Sequence, residues 1–130
     1  MKNRFDVVYT EEAMSFINSL PTKVKEKVAY NISKSSVIPD NELFKKLGGT
    51  EIWEFRTLYE GIKYRILAFW DNEDDAKVIA TNGFIKKTKK TPAKEIAKAE
   101  STQGRSRNPP RLQPSSWRPW PVTVSERSPW

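Results

Sequence analysis

The sequence predicts an α+β domain in which a helical hairpin packs on an antiparallel meander of strands. Two observations carry this prediction. Residues 51–59, 62–70 and 77–86 each alternate apolar and polar side chains, which is the period of a strand, and only short connections separate them. Between residues 11 and 32, apolar side chains recur every three or four positions, which is the period of a helix. A further strand precedes the hairpin, and a helix follows the meander.

The first elements are marked by local signals. Residues 4–9 alternate and predict a strand. Thr10 and the two acidic residues after it suit a helix start, because the hydroxyl caps free N–H groups and the acids favour the helix dipole. This helix is expected to end at Pro21, and a second one begins at Thr22. We expect the first strand to join the sheet at an edge or beside one of the other three strands.

The meander has a defined expected register. Glu60-Gly61 is a hairpin signal, and a two-residue turn there places residues 56 and 65 directly opposite each other. Ahead of the meander, residues 42–46 are expected to form a short helical turn. An acidic turn is expected at residues 71–75. Behind the meander, Thr91 is predicted to cap a final helix that ends near Glu100.

The chain changes character at residue 101. Residues 1–100 are predicted to form the folded domain, and residues 101–130 a disordered tail. The tail holds six of the nine prolines, three of the five tryptophans and five arginines, but no lysine; the preceding part holds fifteen lysines and three arginines. A frameshift or a non-native extension produces such a change. A genuine Trp/Arg/Pro binding peptide is the alternative.

Composition excludes several kinds of chemistry. The chain has no cysteine and no histidine, which rules out disulfides and thiolate catalysis and argues against a small zinc site. We therefore expect no metal and no cofactor. The N-terminus has charges where a signal peptide needs an apolar run, and no segment has 18 apolar residues in succession. The expected location is the cytoplasm.

The meander carries a cluster of cations that suggests a phosphate site. Arg56 and Arg65 are like charges facing each other, which costs stability unless an anion lies between them. That anion is either Glu54 or a phosphate of a ligand, which arginine recognises through paired hydrogen bonds. A surface network of Arg–Glu–Arg without a ligand is the alternative.

A second group of cations follows the last strand. The run K-K-T-K-K comes two residues after Phe84, beside the strand that carries Lys63 and Arg65. Phe84 is either a core residue or a platform on which a base stacks. The expected RNA-binding residues are Lys63, Phe84, Lys89 and Lys90.

Cations around a phosphate, with no clustered metal ligands, suit cleavage of RNA by its own 2′-OH. Such cleavage needs a base for the 2′-OH proton, an acid for the leaving 5′ oxygen, and cations for the charge of the pentavalent intermediate. Without histidine, the base is either Glu54 or a lysine whose pKa neighbouring cations depress. Lys86 and Lys87 both fit the second description.

Three motifs carry a family resemblance. I-W-E-F-R at 52–56, Y-R-I at 64–66 and N-G-F-I-K-K-T-K-K-T-P at 82–92 resemble the HigB-like branch of the RelE/ParE type II toxin superfamily. The likeness spans about residues 4–100 and implies a RelE-like fold. It also implies a ribosome-dependent mRNA endonuclease, with the ribosome, mRNA and a HigA-like helix-turn-helix antitoxin as partners.

The resemblance assigns roles to particular positions. It implies that Arg56, Arg65, Lys86 and Lys87 are catalytic or bind RNA; Glu54 joins them as a candidate base. One departure is that some relatives use a C-terminal tyrosine or histidine, and neither follows Phe84 here. Two other functions stay open: a ParE-like inhibitor of DNA gyrase that is not a nuclease, and an inactive protein that only binds its antitoxin.

Overall fold

A computed structural model describes residues 4–71 and 76–107, with side chains up to residue 104. Its elements, in chain order, are β1 Asp6–Tyr9, α1 Glu11–Asn18, α2 Thr22–Ser35, β2 Phe44–Lys46, β3 Trp53–Tyr59, β4 Ile62–Trp70, β5 Lys77–Lys86 and α3 Ala93–Arg107. The strands form one sheet in the order β1-β5-β4-β3-β2. Strand β1 lies parallel to β5 at one edge, and the other pairings are antiparallel.

The sheet is covered on both faces. Helices α1 and α2 lie on one face, over a cluster rich in aromatic side chains that includes Phe5, Phe44 and Phe55. Helix α3 lies on the other face, where Ala99 and Ile96 meet Leu67, Phe69 and Ile79. The predicted α+β architecture is confirmed, and so are the edge position of β1 and the limits of β5.

Three local predictions are wrong. Residues 44–46 form a strand rather than a helical turn, because Phe44 stacks on Phe55 at 4.3 Å between ring centroids and so draws this segment to the sheet edge. Helix α1 ends at Asn18, ahead of Pro21. Helix α3 runs on past Glu100 to Arg107, so the first seven residues of the expected tail are helical.

Two other expectations are not tested in full. The rest of the predicted tail, residues 108–130, lies outside the described residues, and so do residues 72–75 of the acidic turn. The proposed division at residue 100 therefore stays a prediction.

A β-bulge at Thr81 determines which face the end of β5 presents. Leu67 pairs with Asn82, whereas its neighbour Ala68 pairs with Ala80, so Thr81 is an extra residue. Because strand side chains alternate, one extra residue exchanges the faces beyond it. Ala80 therefore points towards α1 and α2, whereas Phe84 lies on the face of α3.

Candidate functional site

The hairpin of β3 and β4 brings the two sheet arginines together. Arg56 pairs with Arg65, as the sequence predicts. The turn fixes this register: Glu60 and Gly61 have φ angles of 50° and 82°, the left-handed pair that a two-residue type I′ turn requires. Glycine adopts this conformation without a steric penalty from Cβ.

The carboxylate of Glu54 lies between the two guanidinium groups. Its Oε2 atom is 3.7 Å from Nε of Arg56 and 3.6 Å from Nε of Arg65. The residue is 3% exposed. An anion was expected between the arginines, and Glu54 occupies that place.

The two arginines differ in how deeply they are buried. The side chain of Arg65 is 5% exposed and that of Arg56 is 27% exposed. Burial lowers the pKa of Arg65; the charge of Glu54 opposes this change, and the charge of Arg56 adds to it. Each guanidinium also donates from Nη1 to a backbone carbonyl: Arg65 to Tyr64 at 3.2 Å, and Arg56 to Asn41 at 3.4 Å.

Lys86 joins the arginines from the neighbouring strand. It pairs with Lys63, and the bulge places it on the same face as Arg65. Lys86 is half-buried, and this desolvation lowers its pKa, with Arg65 the next largest cause. Glu54 raises the pKa, whereas Arg56 and Lys63 lower it further. An amine with a lowered pKa is a better proton acceptor near neutral pH than an ordinary lysine.

The remaining predicted residues occupy different surroundings. Phe84 is 9% exposed and belongs to the apolar cluster under α3. Of the two roles that the sequence left open, its side chain therefore has the core role and does not form an exposed stacking surface. Lys87, Lys89 and Lys90 follow β5 and are exposed, as is Lys63. Lys87, Lys89 and Lys90 follow Lys86 closely along the chain, and Lys63 pairs with Lys86 across the two strands.

One residue of this site, Thr91, was not predicted to belong to it. The hydroxyl of Thr91 donates to Oε1 of Glu54 at 3.1 Å. This hydroxyl was predicted to cap the final helix, but it bonds to Glu54 instead. The start of α3 is organised instead by the carbonyl of Pro92, which accepts from the N–H groups of Glu95 and Ile96. Thr91 and Glu54 are 37 positions apart, and no local pattern signals such a contact.

Two further observations concern metal binding and membrane-spanning helices. Within residues 4–71 and 76–107, no group of three or more histidine, cysteine or acidic residues is placed to hold a metal ion. In the same part of the chain, no helix has the length and apolar character needed to cross a membrane.

Comparison with known proteins identifies the family. The model of the family described as phage derived protein Gp49-like (DUF891) matches residues 15–103, which is more than half of the chain. The chain belongs to this family. No curated protein matches the sequence.

RelE proteins are among the solved structures with a similar fold. The Gp49-like chain resembles a double arginine-to-alanine mutant of the E. coli toxin RelE in the free state, with 17% identity, a TM-score of 0.52, and coverage of 78% of this chain and 98% of that one. It also resembles the toxin–antitoxin complex RelBE2 from Mycobacterium tuberculosis, with 19% identity, a TM-score of 0.51, and coverage of 66% and 95%. The expected RelE-like fold is confirmed.

Proposed function

We propose that this Gp49-like protein is the toxin of a type II toxin–antitoxin system and cleaves mRNA on the ribosome, as a HigB-like member of the RelE superfamily. One observation carries the proposal: Arg56, Arg65 and Lys86 share one face at one end of a RelE-like sheet, and Lys86 has a lowered pKa. The toxins named among the structural neighbours support the assignment to a toxin–antitoxin module.

Lys86 is the best-placed base for the 2′-OH. Glu54 is the other candidate, but it is 3% exposed, one of its oxygens accepts from Thr91, and the other faces the two arginines. Lys86 is half-buried and its pKa is lowered, mainly by desolvation, which is the direction that favours a lysine base.

The reaction needs no metal ion. The neutral amine of Lys86 takes the proton of the 2′-OH, and the 2′ oxygen attacks the adjacent phosphorus. Arg56 and Arg65 neutralise the charge that develops on the phosphate oxygens. The 5′ oxygen leaves with a proton from water or a lysine ammonium, which gives a 2′,3′-cyclic phosphate and a 5′-OH. Lys63, Lys87, Lys89 and Lys90 hold the flanking backbone, and Phe84 supports this surface from the core.

The proposal also covers partners and location. The antitoxin is a HigA-like helix-turn-helix protein, and the substrate is mRNA in the decoding site of a translating ribosome. Both lie in the cytoplasm, and neither the fold nor the proposed chemistry calls for a cofactor.

A translating extract tests the function. The wild-type protein should cut mRNA in phase with codons, and the products should carry 2′,3′-cyclic phosphates. Lys86→Met should reduce the cleavage rate by about 10²- to 10⁴-fold, the usual contribution of a general base. Lys27→Met is the matched control, because Lys27 is exposed on α2, which covers the other face of the sheet. This variant should cleave mRNA like the wild type.

Other outcomes would identify the alternatives. Intact mRNA together with blocked supercoiling by DNA gyrase would replace the proposal with a ParE-like function. Intact mRNA and normal supercoiling, with tight binding to the neighbouring antitoxin, would indicate an inactive antitoxin-binding protein.

A further inference from the structure

A chain of polar contacts links the start of α3 to both arginines. Thr91 donates to Oε1 of Glu54 at 3.1 Å, and Oε2 of the same carboxylate lies 3.6–3.7 Å from Nε of Arg65 and Arg56. The contacts come from three different parts of the chain. Their common member, Glu54, is 3% exposed.

The carboxylate lies closest to the innermost nitrogen of each guanidinium group. It meets each guanidinium at Nε rather than at the terminal nitrogens, which extend farther along the side chain. Two arginines that face each other across a hairpin repel, and a single carboxylate between them offsets this repulsion at a fixed separation. A fixed separation is what a pair of cations needs if both are to meet the oxygens of one phosphate.

The hydroxyl of Thr91 restricts how this carboxylate can move. It holds Oε1, so Oε2 stays directed at the arginines. The same bond anchors the segment that carries Lys87, Lys89 and Lys90, because Thr91 is the last residue of that segment before Pro92 and α3. Lys86, where the segment begins, is held by its pairing in the sheet.

We propose that Glu54 and Thr91 are positioning residues: the buried carboxylate sets the separation of Arg56 and Arg65, and the Thr91 hydroxyl fixes that carboxylate while it ties the lysine segment to the arginines. The inference rests on the proposed function, since it takes these arginines as the groups that meet the scissile phosphate. Neither positioning residue touches the RNA.

Substitutions at Thr91 test the bond without changing any charge. Thr91→Val keeps the shape and loses the donor, whereas Thr91→Ser keeps the donor. Thr88→Val is the control, because the Thr88 hydroxyl lies in the same segment but donates to the carbonyl of Lys90. We expect Thr91→Val to lower kcat for mRNA cleavage about 10-fold with KM within about twofold, since a misplaced cation weakens the transition state more than binding.

The two other threonine variants should cleave like the wild type. A kcat of Thr91→Val equal to that of the wild type would overturn the inference. So would an equal loss in Thr91→Ser, because that result would assign the effect to packing rather than to the hydroxyl.

Glu54→Gln separates positioning from base catalysis. The groups that act on the charge of Lys86 are Arg65, Glu54, Arg56 and Lys63. Because the carboxylate raises the pKa of Lys86, its replacement by an amide should move the acid limb of the pH–rate profile to lower pH and leave a measurable rate. A rate reduced more than about 10³-fold at every pH, in a variant that still folds, would make Glu54 the general base and overturn its positioning role.

A measurement without RNA keeps this inference separate from the proposed function. In the free protein, the Nε–H groups of Arg56 and Arg65 are buried and should exchange slowly with solvent in NMR spectra. Thr91→Val should speed their exchange at least about threefold, whereas Thr91→Ser should not. If the wild type cuts no mRNA, the proposed function fails, but the exchange rates still test the positioning role. Equal exchange rates in all variants would overturn the positioning role.

Discussion

The two halves of β5 serve different purposes, although they belong to one strand. The first half is apolar on both faces: Val78, Ile79 and Ala80 are at most 3% exposed. Beyond the bulge at Thr81, the strand carries Asn82, whose side chain donates to Glu95 of α3, and ends in the half-buried Lys86. The first half only fills the core, whereas the second half adds Phe84 to the core and also delivers a charge to the arginines.

The bulge allows the two purposes to coexist. An uninterrupted strand would direct Lys86 to the same face as Val78 and Ala80, which is the face of α1 and α2. The extra residue exchanges the faces, and Lys86 arrives beside Arg65 instead. Bulges often re-aim side chains next to functional sites. Stability and the charge cluster should therefore respond to different substitutions along this strand.

The largest expected effect comes from the apolar half. Ile79 is 3% exposed and lies in the cluster under α3, so Ile79→Ala should lower the free energy of unfolding by about 2–5 kcal/mol through lost burial and a new cavity. Ile85→Ala is the matched control, because Ile85 is in the other half and is 41% exposed; its cost should stay below about 1 kcal/mol. Urea unfolding measures both, and equal costs would remove the distinction between the halves.

A smaller effect is expected at Gly83, where α1 approaches the second half closely. A Cβ placed on Gly83 would overlap the ring of Phe16, with Cγ only 2.8 Å away. Gly83→Ala should therefore cost about 1–3 kcal/mol by overpacking. Gly104→Ala meets no atom within 4 Å and lies in helix α3, so it should stabilise the protein by up to about 1 kcal/mol.

Thermal or urea unfolding of both glycine variants gives the comparison. Phe16→Leu in the Gly83→Ala background should recover part of the loss. An unchanged stability of Gly83→Ala would show that Phe16 moves aside freely.

The smallest effect on stability is expected at the charged end. Lys86→Met should change the free energy of unfolding by no more than about 0.5 kcal/mol near neutral pH, and the sign should be stabilising, because burial beside Arg65 disfavours the charged amine. The pKa of Lys86 in the folded protein lies below its ordinary 10.5, so the unfolded chain binds more protons in the window below pH 10.5. Wild-type stability therefore gains from this group as pH rises through that window.

We expect Lys86→Met to have a higher free energy of unfolding than the wild type, by a difference that shrinks as pH approaches 10.5. Urea titrations at pH 8 and pH 10 measure it, with Lys27→Met as the reference for losing one exposed lysine. An advantage that grows with pH would mean that the pKa of Lys86 is raised rather than lowered.

Local signals predicted most of the sheet. The Glu60-Gly61 turn determined the register of β3 and β4, and hence the opposed arginines, because a two-residue turn leaves no freedom in the pairing. Strand β2 was missed since its three residues are too few to show a period, and one aromatic contact of Phe44 decides its place. The length of α3 was underestimated because residues beyond 100 are polar and lack a helical pattern.

The candidate site was less accessible to prediction for a different reason. Arg56, Arg65 and Glu54 lie on adjacent strands joined by a tight turn, so alternation alone brings them to one face. The place of Lys86 depends on a bulge, which alternation does not reveal. The contact of Thr91 with Glu54 requires the whole segment after β5 to fold back over the sheet.

The hairpin turn makes the arginine pair an all-or-none feature. Its two residues have φ angles of 50° and 82°, and they fix how many peptide units separate Arg56 from Arg65. A shift of the strand pairing by a single residue would not move the arginines apart gradually; it would send one of them to the opposite face of the sheet. Position 60 is therefore restricted to residues that tolerate a left-handed backbone, and a slip of the register disassembles the cation pair in one step.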